Sequence, residues 1–332
     1  MNQATKNKWI LIVLVIMLPI IAYVHVFIGR IDISFSDFID AIFHYDDSNS
    51  NHILAREFRF PRLMMAIIAG SGLSIAGLLM QTLFNNPLAG PYVLGINSGS
   101  SLFVAFSFMT GIPFLTSEIG TITSALIGAF LFGLIILSFS FVVKSHVSLL
   151  LIGMMLGSFT SAFVSILQSM SDPQQLKLFT LWSMGSLQQV ESIELPLIFL
   201  FFSVGIVASF MVVKPLNALV LGENQALMLG VKLKNIRLIL ITITAVLTGL
   251  ITAFCGPIAF VGLAVPNLVK ILFKTQSHLT LIAGCLLIGS VFLILCDILV
   301  QFLEGTVNIP INALTSIIGA PFVIIVVLKR LA

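Results

Sequence analysis

The sequence predicts an all-α membrane protein, a polytopic bundle of about ten transmembrane helices with both termini in the cytoplasm. Three observations carry that expectation. Of the 332 residues, 58% are hydrophobic and only 9% charged, with a mean hydropathy of +1.15. A water-soluble domain has about 25% charged residues, and a chain this poor in charge cannot cover a surface that faces water. Apolar runs near the roughly 20 residues needed to cross a bilayer recur along the whole chain. The basic residues, finally, gather in alternate connections between those runs.

In order, the apolar segments are 9–28, 61–84, 93–109, 119–143, 149–170, 195–213, 236–254, 258–273, 279–300 and 311–328. The first is longer than the apolar core of a cleavable signal peptide and has no small-x-small cleavage site. The eighth is short and lies against Pro257 and Pro266, yet without it Lys329 and Arg330 would fall outside. With the N-terminus inside, Lys6, Lys8, Lys144, Lys214, Lys232, Lys234, Arg237, Lys270, Lys274, Lys329 and Arg330 share the cytoplasmic side. Arg30, Arg56, Arg59, Arg62 and Lys177 fall outside, as the positive-inside rule asks of the minority. Among the acids, Glu223 alone falls inside and Asp297 alone within a span. The whole of 1–332 reads as one transmembrane domain, with a cytoplasmic loop at about 215–236 and an external segment at about 29–60.

Two external pieces have their own helical logic. In "DISFSDFIDAIFHY", Phe35, Phe38, Ile39, Ile42 and Phe43 recur at helical spacing with Asp37 and Asp40 opposite. That is the pattern of a helix lying on a membrane surface. In "SDPQQLKLFTLWSMG", Ser171 or Asp172 can cap, Pro173 suits a first turn and Gly185 a C-terminal stop. Cys255, Cys285 and Cys296 all sit in or beside apolar runs, which argues against a disulfide framework.

The fifth segment carries a stripe of small residues, Gly153, Gly157, Ser161, Ser165 and Ser169, at every fourth position. Such a stripe lets helix backbones approach closely. It also suits the wall of a path for a large solute, so Gly157, Ser161 and Ser165 are candidate lining residues. Both roles hold if the stripe faces a neighbouring subunit across a central channel.

Several long motifs follow one another in register. They are "FRFPRLMMAIIAGSGLSIAGLLMQTLFNNPLAGPYVLGINSGS" (58–100), "GPIAFVGLAVPNLVK" (256–270) and "NIPINALTSIIGAPFVIIVVLK" (308–329). The chain resembles, over nearly its whole length, the FecCD-type permeases of ABC importers for iron–siderophore, haem and cobalamin. The resemblance implies a transmembrane subunit without enzymatic activity that works as two permease copies, two ATPase subunits and an external binding protein. Importers of this kind sit in the inner or plasma membrane. No G-x-x-x-x-G-K-[ST] phosphate loop occurs in the sequence. ATP and Mg therefore belong to the partner ATPase, and no cofactor or metal is expected on this chain.

By the same resemblance, the loop after the sixth segment docks the ATPase. Here it reads "LGENQALMLGV", with Leu221, Gly222, Glu223, Ala226, Leu229 and Gly230 on the family pattern. Glu223 near a helix N-terminus is electrostatically favoured. Leu227 and Met228 offer apolar contact, and Ala226 lies on the same helical side as Gly222 and Gly230, which suggests a flat inserting face. The plain alternative is a connector that only carries cytoplasmic charge. Arg59 and Arg62 match residues that dock the binding protein, or they are interfacial arginines. Asn86, Pro87 and Leu88, with Ser145 and His146, fall where the family narrows its pathway on the cytoplasmic side.

Asp297 is a functional candidate by its place in a span, or a packing and polar contact near the external side. In some relatives a basic residue follows it where this chain has Gln301. An ion-coupled secondary transporter would want more intramembrane ionisable groups, and no intramembrane hydrolase motif is present. An iron complex, siderophore or haem, is the expected cargo, with cobalamin the alternative.

Overall fold

The computed structural model describes every residue except Met1, Arg30, Lys144, Gly305, Thr306 and Ala332, and leaves undescribed the side chains of Val93, Leu94, Pro113, His146, Val326, Val327, Lys329, Arg330 and Leu331. The described residues are helical nearly throughout. The chain opens with α1 (Gln3–Phe27) and the short α2 (Phe35–Phe43). A π-turn at Leu54–Arg59 leads into α3 (Phe60–Leu83), whose Pro61 stands in the first turn, where a missing N–H costs nothing. Then follow α4 (Ile96–Met109), α5 (Glu118–Val142), α6 (His146–Ser169) and the short α7 (Pro173–Ser183). The second half runs α8 (Leu195–Met211), α9 (Val213–Leu219), α10 (Glu223–Met228), α11 (Leu233–Cys255), α12 (Val261–Phe273), α13 (His278–Leu303) and α14 (Ile311–Leu331).

Each of the ten apolar segments coincides with a helix. Among the described residues, six helices are long and apolar enough to cross a membrane. A seventh crossing results if α8 and α9, bent by 53° at their junction, count as one. Helices α4 and α12 and the stretch Ile311–Ile325 are apolar but shorter. The shortening has a local cause. Gly95 takes φ +74 and Phe260 φ +65, so each helix starts about three residues later than hydropathy suggests.

Helix α3 is the axis of the bundle. It packs most extensively on α13, and also on α11 and α12. Small residues make this possible: a Cβ on Gly70 would overlap the Gly289 carbonyl of α13, and one on Gly77 the Gly262 carbonyl of α12. Helix α5 packs on α4 and α11, and α6 leans on α4. The outward faces of α1, α5, α6 and α8 keep large apolar side chains exposed, among them Trp9, Phe130, Phe159 and Phe199, as lipid contact requires.

Helices α2 and α7 form where capping and periodicity put them. Ser34 accepts from the Asp37 N–H at 3.0 Å at the start of α2. In α7, the Gln175 side chain reaches back to the Asp172 N–H at 3.2 Å, and Gly185 stops the turn at φ +71. The three cysteines are buried and unpaired.

Candidate functional site

Between α11 and α12 the chain runs extended over 257–259, and buried backbone polar groups at that depth need partners from the protein itself. They come from two distant motifs. The Ile258 N–H donates to the Tyr92 hydroxyl at 2.6 Å, and that hydroxyl donates to the Ile258 carbonyl. The Ala259 N–H donates to Asn312 Oδ1 at 3.0 Å. The Ser186 N–H donates to the Cys255 carbonyl at 2.8 Å. Motifs that lie far apart in the sequence thus meet at one break in the bundle.

Where the C-terminal ends of α1 and α13 meet the start of α3 lies a buried charge cluster. Arg62 Nε donates to Asp297 Oδ2 at 2.7 Å and its Nη2 to Asp297 Oδ1 at 3.0 Å, a two-pronged pair. Nη2 also reaches Glu304 Oε1 at 3.1 Å. His25 Nε2 stands 2.7 Å from Asp297 Oδ2, and Gln301 Nε2 donates to the same oxygen at 3.2 Å. Gln188 holds Glu304 at 2.6 Å. A cavity of about 550 Å³ opens beside this cluster, lined by Arg62, Asp297, Glu304, Gln188 and Asn308 among others.

The Arg62 side chain is only 11% exposed and its charge is taken up by Asp297 and Glu304. Arg59 is half-buried and donates to the Val26 and Ile31 carbonyls. Arg56, exposed and stacked 4.4 Å over the Tyr45 ring, is the more open cation of the group. Asp297 takes a structural part as the carboxylate that ties α1, α3 and α13 together. His25 had a sequence signal, an ionisable residue within a long apolar run. Glu304 and Gln188 had none, because their relation to Arg62 spans more than a hundred residues.

At the opposite end stands α10. Leu221, Leu227, Met228 and Leu229 are exposed, Met228 at 88%. Gly222 (φ +106) and Gly230 (φ +82) bracket the helix in conformations that favour glycine. Glu223 opens α10 and accepts from Arg237 Nη2 of α11 at 2.6 Å. Ala226 is fully buried against its own chain, while Leu227, Met228 and Leu229 stand exposed.

The other sequence-predicted positions separate. Asn86 Oδ1 accepts from the Leu88 N–H at 2.9 Å, and Asn267 of α12 donates to the Pro87 carbonyl at 2.9 Å, which fixes that turn. Asn86 and Pro87 line a polar cavity of about 650 Å³ with Gln81, Lys270 and His278. Ser145 caps α6, accepting from the Ser148 N–H at 3.4 Å; the His146 side chain lies outside the described set. Along α6, Gly157 is half-buried with Ser98 of α4 as its neighbour, whereas Ser161 and Ser165 are exposed. The small stripe therefore divides between packing within the chain and an open face.

Comparison with known proteins decides what this architecture belongs to. Residues 12–329 match the FecCD transport family. The chain belongs to that family. It is 31% identical over 335 residues to the hemin transport system permease protein HmuU of Yersinia pestis, covering 99% of this chain and 98% of that one. It is also 31% identical, over 99% of its length and 96% of the relative's, to the vitamin B12 import system permease protein BtuC of Vibrio parahaemolyticus. A solved inward-facing ABC transporter of the metal-chelate type superposes with a TM-score of 0.85 at 31% identity, covering 97% of this chain and 99% of that one. FecCD relatives are permease subunits of ABC importers, and this chain is accordingly an integral membrane protein. Among the described residues no group of three or more His, Cys, Asp or Glu could hold a metal ion.

Proposed function

We propose that this chain is the transmembrane permease of an ATP-driven importer that carries an iron complex, siderophore or haem, across the inner or plasma membrane. Two copies pair around a central path, and about ten helices per copy cross the bilayer with both termini inside. A separate ATPase subunit, which holds ATP and Mg, docks on the 215–236 loop, and an external binding protein delivers cargo. Its docking site includes Arg59 and Arg62.

The observation that carries this reading is α10. A six-residue helix with three consecutive exposed apolar residues, standing between long apolar helices, has no use for that tip unless a protein covers it. The open serines Ser161 and Ser165 on an otherwise apolar outer face support pairing with a second copy. Relatives at equal identity are named for hemin and for vitamin B12, so cobalamin is the second reading for cargo.

The test is reconstitution in liposomes with the ATPase and the binding protein. Haem or a ferric siderophore is expected to stimulate ATP hydrolysis and enter the vesicle. Stimulation by cobalamin alone would move the cargo assignment, and a chain that recruits no ATPase would overturn the function.

A further inference from the structure

We propose that Arg237 is a positioning residue that holds the coupling helix to the bundle, through its ion pair with Glu223, and so carries α10 movement into α11. The inference rests on the reading above, that an ATPase docks on α10.

Helix α10 cannot hold itself. Six residues make fewer than two turns, far below the length at which a helix is stable alone. It is set between two turns at Gly222 and Gly230, which both have positive φ and open space where a Cβ would stand. Orientation must therefore come from contacts of α10 with its own chain. Two are evident. Ala226 is fully buried, and its carbonyl accepts from the Val231 N–H at 3.0 Å, which closes the loop locally. Arg237 Nη2 reaches Glu223 Oε1 at 2.6 Å, which fixes the start of α10 to α11.

That pair differs from an ordinary surface bridge. The Arg237 side chain is 16% exposed and Glu223 38%, so the contact is partly shielded from water. Glu223 also lies in a strongly basic stretch with Lys214, Lys232 and Lys234 around it in sequence. Glu223 is the only acidic residue between Lys214 and Arg237 in the sequence. The N-terminal turns of α11 are braced from a second side, since Lys234 Nζ sits 4.8 Å from the ring centroid of Phe141 at the end of α5. Helix α11 in turn packs along α3 and α5. A tilt imposed on α10 thus has a stiff route into three long helices.

The experiment uses the full-length permease, alone in detergent and reconstituted with its ATPase. The variants are Glu223→Gln, Arg237→Gln and the exchange Glu223→Arg with Arg237→Glu. Lys8→Gln removes a positive charge from the exposed start of α1 as a control. In the permease alone, Arg237→Gln is expected to speed hydrogen exchange of the 224–229 amides by about tenfold, with α3 and α13 unchanged. In the complex, both single variants keep the ATPase bound but lower cargo moved per ATP by about tenfold, and the exchange variant regains most of it. Unchanged exchange at 224–229, or single variants with normal cargo per ATP, would overturn the proposal. Failure of the wild-type chain to bind the ATPase would overturn the functional reading, while the hydrogen-exchange result would still decide the link. An exchange variant no better than the singles would also count against it, because only a pairwise contact is restored by swapping charges.

Discussion

Breaking the Arg62–Asp297 pair should cost more from one side than from the other. Asp297 is 2% exposed and receives Arg62, His25 and Gln301. Arg62 is 11% exposed and has Asp297 and Glu304. Removing one partner of a buried pair leaves an uncompensated charge, at about 3–5 kcal/mol. With Arg62→Met, Asp297 keeps His25 and Gln301, which places the loss near 3 kcal/mol. With Asp297→Leu, His25 loses its carboxylate and Arg62 keeps only the part-exposed Glu304, which places it near 5 kcal/mol. At about 2 °C per kcal/mol for a chain of this size, the apparent melting temperature in detergent falls by about 6 °C and about 10 °C respectively. Combining both changes removes the stranded charge, so the double variant should melt above Asp297→Leu. The assay is thermal unfolding of the four proteins in one detergent, followed by size-exclusion recovery. Additive losses in the double variant, or single losses below about 2 °C, would refute the claim that the two charges sustain each other.

Two further outcomes follow from exposure. Met228→Asp places a charge on the open tip of α10 and should abolish ATPase association without altering permease stability, while Ala226→Phe overpacks a closed contact and should lower stability by about 1–3 kcal/mol; co-purification and melting separate the two. Cysteines at Ser161 and Ser165 should react with water-soluble thiol reagents in the assembled complex, and a cysteine at Gly157 should react more slowly; full protection of the serine positions in every nucleotide state would remove α6 from the pathway.

What the sequence made legible follows from the range of the forces concerned. Hydropathy acts segment by segment, so all ten apolar runs found helices. Caps act over three or four residues, so α2 and α7 were readable from Ser34 and from Asp172, Pro173 and Gly185. The late starts of α4 and α12 were hidden because apolarity continues through Val93, Leu94 and Ile258 while the backbone does not. The direction in which Ala226 faces was hidden for a different reason: a single short turn between two glycines has no periodicity long enough to show its inner side. Arg62 and Asp297 stand 235 residues apart, and no local pattern announces that one satisfies the other. Family resemblance marked both arginines as a pair of equals, whereas geometry divides them into an enclosed Arg62 and a half-open Arg59.

The same geometry indicates which parts of the chain can move. Helix α3 is fixed to α13 at its outer end by Arg62 and Asp297, midway by Gly70 against Gly289, and at its inner end by Thr82, 2.9 Å from His278. It is fixed to α12 by Gly77 against Gly262 and by Lys270, which donates to Gln81 at 2.8 Å. Close backbone contact and buried polar pairs at several levels leave no easy sliding direction, so α3, α12 and α13 behave as one body. Among the described residues, α6 packs chiefly on α4 and the turn before it, with less contact to α5, and most of its outer surface is open. Helix α10 is set between two glycine turns. If an ATPase docks on α10 as proposed, work delivered there passes to α11 and from it to both α3 and α5, on which α11 packs.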